Sequence, residues 1–175
     1  MTVYLCWSVA AGLWLATALA HGAGLRINHT PSLPIGLWRI TSIGTPLARG
    51  AVVSVCPPNA AILHQAHARG YLGPGRCPGG FEPLLKPVIA LAGDRVTLGA
   101  DGVVVNGEPV LGSARLAADG AGRPIPAIPF GVYTAQPGEI WLLSTAHPQS
   151  FDSRYFGAVP IESIEGVASA LGVMR

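Results

Sequence analysis

The chain has 175 residues, which is enough for one folded domain and a membrane segment. Charged residues make up only 11% of the chain, and the formal net charge is +2. This composition excludes the basic surface that nucleic-acid binding needs, so we expect no nucleic-acid partner. A hydrophobic fraction of 50% indicates that part of the chain lies in lipid.

The first predicted element is a membrane anchor at residues 1–22. Residues 2–20 carry no charge, and a helix of about 20 apolar residues crosses a bilayer. Residues 18–20 read Ala-Leu-Ala, as at a signal-peptide cleavage site, but the charged segment that opens a cleavable signal is missing. We therefore predict an uncleaved, single-pass anchor that contacts membrane lipid, followed by one domain at residues 23–175.

Short apolar runs separated by Gly and Pro follow the anchor and indicate a mainly β domain. The chain contains 23 Gly and 16 Pro, which leaves room for one soluble helix at 59–69, within a helical insertion at about 57–80. Turn dipeptides at 101–102 and 106–107 flank one run and predict a small meander. The predicted strands are 36–40, 51–55, 84–91, 96–98, 103–105, 109–111, 130–134, 139–144 and 164–173.

The chain has three cysteines. Cys6 lies in the predicted anchor, whereas Cys56 and Cys77 bracket the predicted helix. A disulfide that closes a loop of this size contributes about 3 kcal/mol of stability, so Cys56 and Cys77 are a candidate pair. Such a pair favours a location outside the cytoplasm. Two unpaired thiols are the alternative.

Two residues stand out as a candidate nucleophile and base. Ser32 lies between Pro31 and Pro34, which hold the backbone in a stiff, non-helical conformation. A serine needs a neighbouring base, and arginine stays protonated in proteins. Lys86 is the single lysine among 11 Lys and Arg residues, and it lies in the apolar run 84–91, where burial lowers the pKa of an amine.

Three motifs give the chain a family resemblance. They are a Ser-x-Pro-x-Gly-x-Trp segment at 32–38, a lysine eight residues before the Asp of Gly-Asp-Arg-Val at 93–96, and Ser-x-Asp-Ser-Arg-Tyr-Phe-Gly at 150–157. From residue 28 onward the chain resembles signal peptidases of the serine/lysine type, and among them the TraF-type peptidases of conjugative transfer systems. The resemblance implies a signal-peptidase-like antiparallel β-sheet domain after the N-terminal transmembrane helix.

The resemblance also implies roles for individual residues. Ser32 matches the nucleophile that attacks the scissile carbonyl, and Lys86 matches the base that takes its proton. Thr30 matches the position whose hydroxyl joins the Ser32 backbone N–H in an oxyanion hole. Ser150 matches the serine that orients the lysine amine, and Asp152 matches an aspartate counted with the active site.

Two further charged residues are interpreted as scaffolding. Asp94 and Arg154 belong to the motifs at 93–96 and 150–157, but the mechanism needs only one base, so we expect both to hold the structure together. We expect neither a metal nor another cofactor. Pro34 comes two residues after Ser32, instead of three as in housekeeping signal peptidases, and residues 144–149 replace their Gly-Asp-Asn-Arg run. These departures favour a dedicated substrate.

The resemblance implies a substrate and a location. TraF-type peptidases act on pilin precursors, and in some systems the substrate's own amine resolves the acyl-enzyme and gives a cyclic pilin. We expect a pilin-like precursor as partner, with contacts to conjugative transfer or type IV secretion components. Arg26 and Arg39 follow the anchor and favour a cytoplasmic domain. The cysteine pair and the substrate class oppose this, so we predict the inner membrane with the domain on the periplasmic side.

Three other interpretations remain. A membrane-anchored β module without catalysis would serve pilus or secretion-channel assembly. A metal site at His64 and His67 would rest on a histidine pair without a carboxylate companion. A Ser/His/Asp hydrolase would use His29 or His147 with Asp94 or Asp152, although no nucleophile elbow is present.

Overall fold

The computed structural model describes residues 22–44, 46–58 and 60–174, together with residues 7, 12, 14, 15 and 19. Most of the predicted anchor, including Cys6, lies outside the described residues. In the part of the chain that is described, no helix is both long and apolar enough to cross a membrane.

The described chain is mainly β, as its sequence predicts, and its strands pair antiparallel in two sheets. The strands are β1 (Leu25–Asn28), β2 (Gly36–Thr41), β3 (Val52–Val55), β4 (Leu84–Ala90), β5 (Arg95–Gly99), β6 (Gly102–Val105), β7 (Glu108–Val110), β8 (Gly131–Thr134), β9 (Glu139–Leu142), β10 (Val159–Pro160) and β11 (Ile164–Val173). The seven-stranded sheet has the order β1-β2-β11-β3-β4-β9-β10, and the four-stranded sheet has the order β7-β6-β5-β8.

Helical structure is short. Helix α1 (Ala61–Ala68) follows the two prolines at 57–58 and buries Leu63 and Ala66. Asp152 is the N-cap of helix α2 (Ser153–Phe156), and its side chain accepts a hydrogen bond from the Arg154 backbone N–H. A 3₁₀ turn occupies Ile161–Ser163. Helix α2 and strands β1 and β10 were not predicted. Helix α2 is a single turn and β10 has two residues, which is too short for a period, and β1, Leu-Arg-Ile-Asn, is not a continuous apolar run.

The small meander forms at its predicted turn. Asn106 and Gly107 connect β6 to β7 with φ values of 51° and 90°. Both central residues of a type I′ hairpin turn need positive φ, and Asn-Gly is the pair that adopts this conformation at least cost.

Strand β4 lies inside the seven-stranded sheet and carries the only lysine. Its side chains alternate between buried and half-buried, with Leu84, Lys86, Val88 and Ala90 in the buried row. Because successive side chains of a strand point to opposite faces, Lys86 occupies a core-facing position between Leu84 and Val88. The fold therefore takes the amine out of water.

The segment between β3 and β4 is fastened to the sheet in two ways. Cys56 and Cys77 form a disulfide with an S–S distance of 2.01 Å. The neighbouring Arg76 donates through Nε to Glu165 on β11 at 3.0 Å, and the same carboxylate accepts from Ser54 at 2.7 Å. The insertion thereby forms a fixed wall beside β4.

Candidate active site

One cleft of about 540 Å³ brings the predicted catalytic residues to a common space. Thr30 and Ser32 line it from the loop between β1 and β2, and Lys86 lines it from β4. Further walls come from the insertion after α1, the loop after β7 and residues 147–155. The apolar side chains that line the cleft include Leu72, Leu84, Leu116, Ile125, Phe151 and Tyr155.

The loop that carries Ser32 is organised by Asn28. This side chain is only 5% exposed, and its Nδ2 donates to the carbonyls of Thr30, Leu33 and Pro34 at 2.9, 3.0 and 3.1 Å. Its Oδ1 accepts from the Thr30 backbone N–H at 3.2 Å and from the Thr30 hydroxyl at 3.0 Å. One buried amide thus forms hydrogen bonds with backbone groups on both sides of Ser32.

Thr30 lines the cleft, but its hydroxyl hydrogen is engaged. A threonine hydroxyl has one hydrogen to donate, and here it points to Asn28 Oδ1. A role in an oxyanion hole requires this hydroxyl to rotate toward the substrate, whereas the Ser32 backbone N–H needs no such rearrangement.

Lys86 is 4% exposed, and its Nζ donates to Ser150 Oγ at 2.7 Å. Burial lowers the pKa of Lys86 from 10.5 to about 8. Asp152 opposes this shift through its negative charge, and Arg154 adds to it through its positive charge. Near pH 8 about half of the Lys86 amines are therefore neutral and able to accept a proton.

The charges of Asp152 and Arg154 are paired with each other. Both side chains are almost completely buried, and Arg154 donates from Nε to Asp152 Oδ1 and from Nη2 to Oδ2, each at 2.8 Å. Arg154 Nη2 also donates to the Ser150 carbonyl at 3.0 Å. The bidentate pair fixes the backbone beside the Lys86 partner Ser150.

Ser144 joins this buried pair to the nucleophile loop. Its backbone N–H donates to Asp152 Oδ2 at 3.1 Å, and its hydroxyl donates to the Ser32 carbonyl oxygen. The sequence predicts no role for Ser144 or Asn28. A single serine or asparagine carries no pattern, and the contact between Ser144 and Ser32 spans 112 residues of chain.

Asp94 lies away from the cleft and is held by hydrogen bonds from three residues. Arg49 Nε donates to it at 2.8 Å, the Leu91 backbone N–H at 2.7 Å and Asn106 Nδ2 at 2.8 Å. The hydrogen bond from Arg49 lowers the pKa of Asp94 to about 2. These contacts are those of a structural carboxylate, and its ion-pair partner is Arg49 rather than the adjacent Arg95.

The contacts of His29 and His147 differ from those of a histidine in a catalytic triad. His29 and His147 line the cleft, but His29 lies 3.6 Å from Glu82, and His147 Nδ1 accepts from the Gln149 backbone N–H at 3.2 Å. The aspartates of the proposed triad are bound to Arg49 and Arg154. His67 contacts the Leu72 carbonyl at 2.9 Å through Nδ1.

Similarity to known proteins identifies the family. The chain is 45% identical over 160 residues to the conjugal transfer protein TraF of Agrobacterium fabrum, covering 90% of this chain and 89% of that protein. It is 47% identical over 145 residues to a probable conjugal transfer protein TraF of Sinorhizobium fredii, covering 83% and 75%. These relatives confirm the resemblance to TraF-type proteins.

A solved structure and a family description complete the comparison. A crystal structure of a signal peptidase I from Enterococcus faecalis is 20% identical, with a TM-score of 0.40, and the match covers 72% of this chain and 98% of that chain. The family described as signal peptidase, peptidase S26, matches residues 1–172. The chain belongs to the peptidase S26 family of signal peptidases.

Proposed function

We propose that this chain is a serine endopeptidase that removes the leader or propeptide of an exported precursor, with Ser32 as nucleophile and Lys86 as base. One observation carries the proposal: a buried lysine with a pKa of about 8 faces the same cleft as a serine held on a stiff loop. Membership of a signal peptidase family supports peptide bonds as the target.

The reaction begins with a proton transfer. Neutral Lys86 accepts the hydroxyl proton of Ser32 while Ser32 Oγ attacks the scissile carbonyl carbon. The tetrahedral intermediate collapses when the lysine ammonium protonates the leaving amine. Lys86 then takes a proton from water, and the resulting hydroxide attacks the carbonyl carbon of the acyl ester. The second tetrahedral intermediate collapses as the Lys86 ammonium returns this proton to Ser32 Oγ, which breaks the ester bond and releases the new carboxyl end.

Charge develops on the carbonyl oxygen during this attack. The Ser32 backbone N–H and the Thr30 hydroxyl are the donors that we assign to it, and one such donor stabilises the transition state by about 3 kcal/mol. Asn28 Oδ1 holds the Thr30 hydroxyl in the free protein. In the complex this hydroxyl turns to the oxyanion.

The relatives named as conjugal transfer proteins support a conjugative pilin precursor as substrate. We further propose that residues 1–22 anchor the protein in the inner membrane, with the domain on the periplasmic side. The disulfide between Cys56 and Cys77 supports this side of the membrane, because the cytoplasm keeps thiols reduced.

The proposal is tested by processing of a co-expressed conjugative pilin precursor, followed by mass spectrometry. We expect Ser32→Ala and Lys86→Arg to abolish processing, since arginine keeps the charge but does not act as a base. Near-normal processing by Ser32→Ala would favour the non-catalytic assembly module. Loss of processing in His147→Ala, with Lys86→Arg still active, would favour a histidine base.

A further inference from the structure

The Ser32 loop is fixed by two polar side chains, one on each side. Asn28, on β1, donates to the carbonyls of Thr30, Leu33 and Pro34. Ser144, after β9, donates to the carbonyl of Ser32. Asn28 is 5% exposed and Ser144 is 2% exposed, so water does not compete for these hydrogen bonds.

Ser144 also contacts the lysine side of the cleft. Its backbone N–H donates to Asp152, which is paired with Arg154, and Arg154 donates to the Ser150 carbonyl. Ser150 in turn accepts from Lys86 Nζ. A continuous series of hydrogen bonds therefore connects the base to the backbone of the nucleophile.

We propose that Asn28 and Ser144 are positioning residues that fix the Ser32 backbone relative to Lys86. The inference rests on the proposed function of Ser32 and Lys86. Asn28 determines the shape of the loop, and Ser144 determines where the loop lies relative to the Asp152–Arg154 pair. Neither side chain exchanges a proton with the substrate.

Loss of either side chain should slow the reaction, because it changes the position from which Ser32 attacks the substrate. Proton transfer to Lys86 needs the two side chains within hydrogen-bond reach, and a displacement of about 1 Å reduces a rate by about 100-fold. Prolines on both sides of Ser32 stiffen the loop but supply no donor to tie it to the sheet. The tie to the rest of the site comes from Asn28 and Ser144.

The test measures kcat, KM and the pH dependence of kcat with the full-length protein and a peptide that spans a pilin precursor cleavage site. Ser144→Ala removes the hydroxyl but keeps the backbone N–H to Asp152. Asn28→Asp keeps the shape of the side chain and its Oδ1 acceptor, but removes the Nδ2 donor that contacts three carbonyls. Ser163→Ala is the matched control, because Ser163 Oγ donates to the Pro160 carbonyl at 2.6 Å outside the cleft.

We expect kcat of Ser144→Ala and Asn28→Asp to fall roughly 10- to 100-fold, with KM within about 2-fold of the original. For Ser144→Ala the midpoint of the pH profile stays near 8, because this change adds no charge near Lys86. Ser163→Ala loses stability in thermal unfolding but keeps kcat. If Asn28→Asp does not fold, Ser144→Ala decides alone.

If Ser32→Ala is inactive and Ser144→Ala keeps the kcat of the original protein, the positioning role is overturned. A shifted pH midpoint in Ser144→Ala would overturn it too, because Ser144 would then act through Lys86. Cleavage by Ser32→Ala would instead refute the proposed function on which the inference rests.

Discussion

Lys86 is a residue at which function opposes stability. Burial of a charged amine costs free energy, and the pKa of about 8, compared with 10.5, corresponds to about 3 kcal/mol. The same burial supplies a neutral amine close to physiological pH. Strand β4 makes this possible because its alternation places Lys86 in the buried row.

The rate is expected to follow the titration of Lys86. Because only the neutral amine accepts the Ser32 proton, kcat/KM increases as pH rises toward and through the pKa of about 8. The measurement is a pH profile with a fixed peptide substrate between pH 6 and 10. A flat profile from pH 6 to 9 would contradict a lysine base.

Replacement of the buried amine should stabilise the fold. The folded-state pKa of Lys86 lies below its ordinary value, so the penalty is complete below about pH 8 and disappears as pH rises toward 10.5. We expect Lys86→Met to be inactive and more stable by about 1–3 kcal/mol in urea unfolding at pH 7. Ser32→Ala is the inactive control without this gain.

That stability gain has its own test. The difference between Lys86→Met and the original protein should shrink between pH 8 and pH 10, where the original protein loses its buried charge. A difference that is equal at pH 7 and pH 10 would show that packing, rather than charge, is responsible.

Sequence patterns predict the proposed nucleophile and base, but not the residues that hold them in place. Ser32 and Lys86 carry chemistry that few other side chains offer, and family motifs surround both. Asn28 and Ser144 act through hydrogen bonds to backbone carbonyls, which nothing in the sequence encodes as a spacing. The pairing of Asp94 with Arg49, 45 residues earlier, is a tertiary contact of the same kind.

At the scale of elements, the insertion between β3 and β4 forms one wall of the cleft. Gly70, Tyr71, Leu72 and Arg76 of this insertion line the cleft, and the disulfide at Cys77 fastens it to the end of β3. Tyr71 reaches the opposite wall through a hydrogen bond of 2.6 Å to Asp119. We therefore expect substrate binding to depend on this element more than proton transfer does.

Removal of the disulfide should change KM, which reflects substrate binding, more than kcat, which reflects the chemical step. For the double variant Cys56→Ser/Cys77→Ser we expect a loss of about 3 kcal/mol in unfolding free energy, because a disulfide restricts the unfolded chain. KM should rise several-fold while kcat changes little, because Lys86 and Ser32 lie on other elements. A fall in kcat at constant KM would contradict this division.

The strands that the sequence predicts are those that form apolar runs between Gly and Pro residues. Runs such as 84–91 and 164–173 gave correct strands, because several consecutive positions share a pattern. Strand β1 has only four residues, Leu-Arg-Ile-Asn, and becomes a strand by pairing with β2 from Leu25 to Asn28. Such an edge strand is specified by its partner rather than by its own sequence.

At the scale of the whole molecule, the site is assembled from three distant parts of the chain. The loop after β1 carries Ser32, β4 carries Lys86, and residues 144–154 connect the two by hydrogen bonds. Ser32 comes about ten residues after the predicted anchor, so we propose that it lies within a few tens of Å of the bilayer. We propose that precursors meet the cleft as they leave the membrane.

The most direct test of the Ser32 and Lys86 mechanism is the identification of the acylated residue. The protein is mixed with a precursor peptide, quenched in acid at early times and digested with trypsin. We expect the acyl group on the fragment 27–39, at Ser32 rather than His29 by fragmentation, and no adduct or cleavage with Ser32→Ala. An acyl group on another residue, or cleavage by Ser32→Ala, would contradict the mechanism.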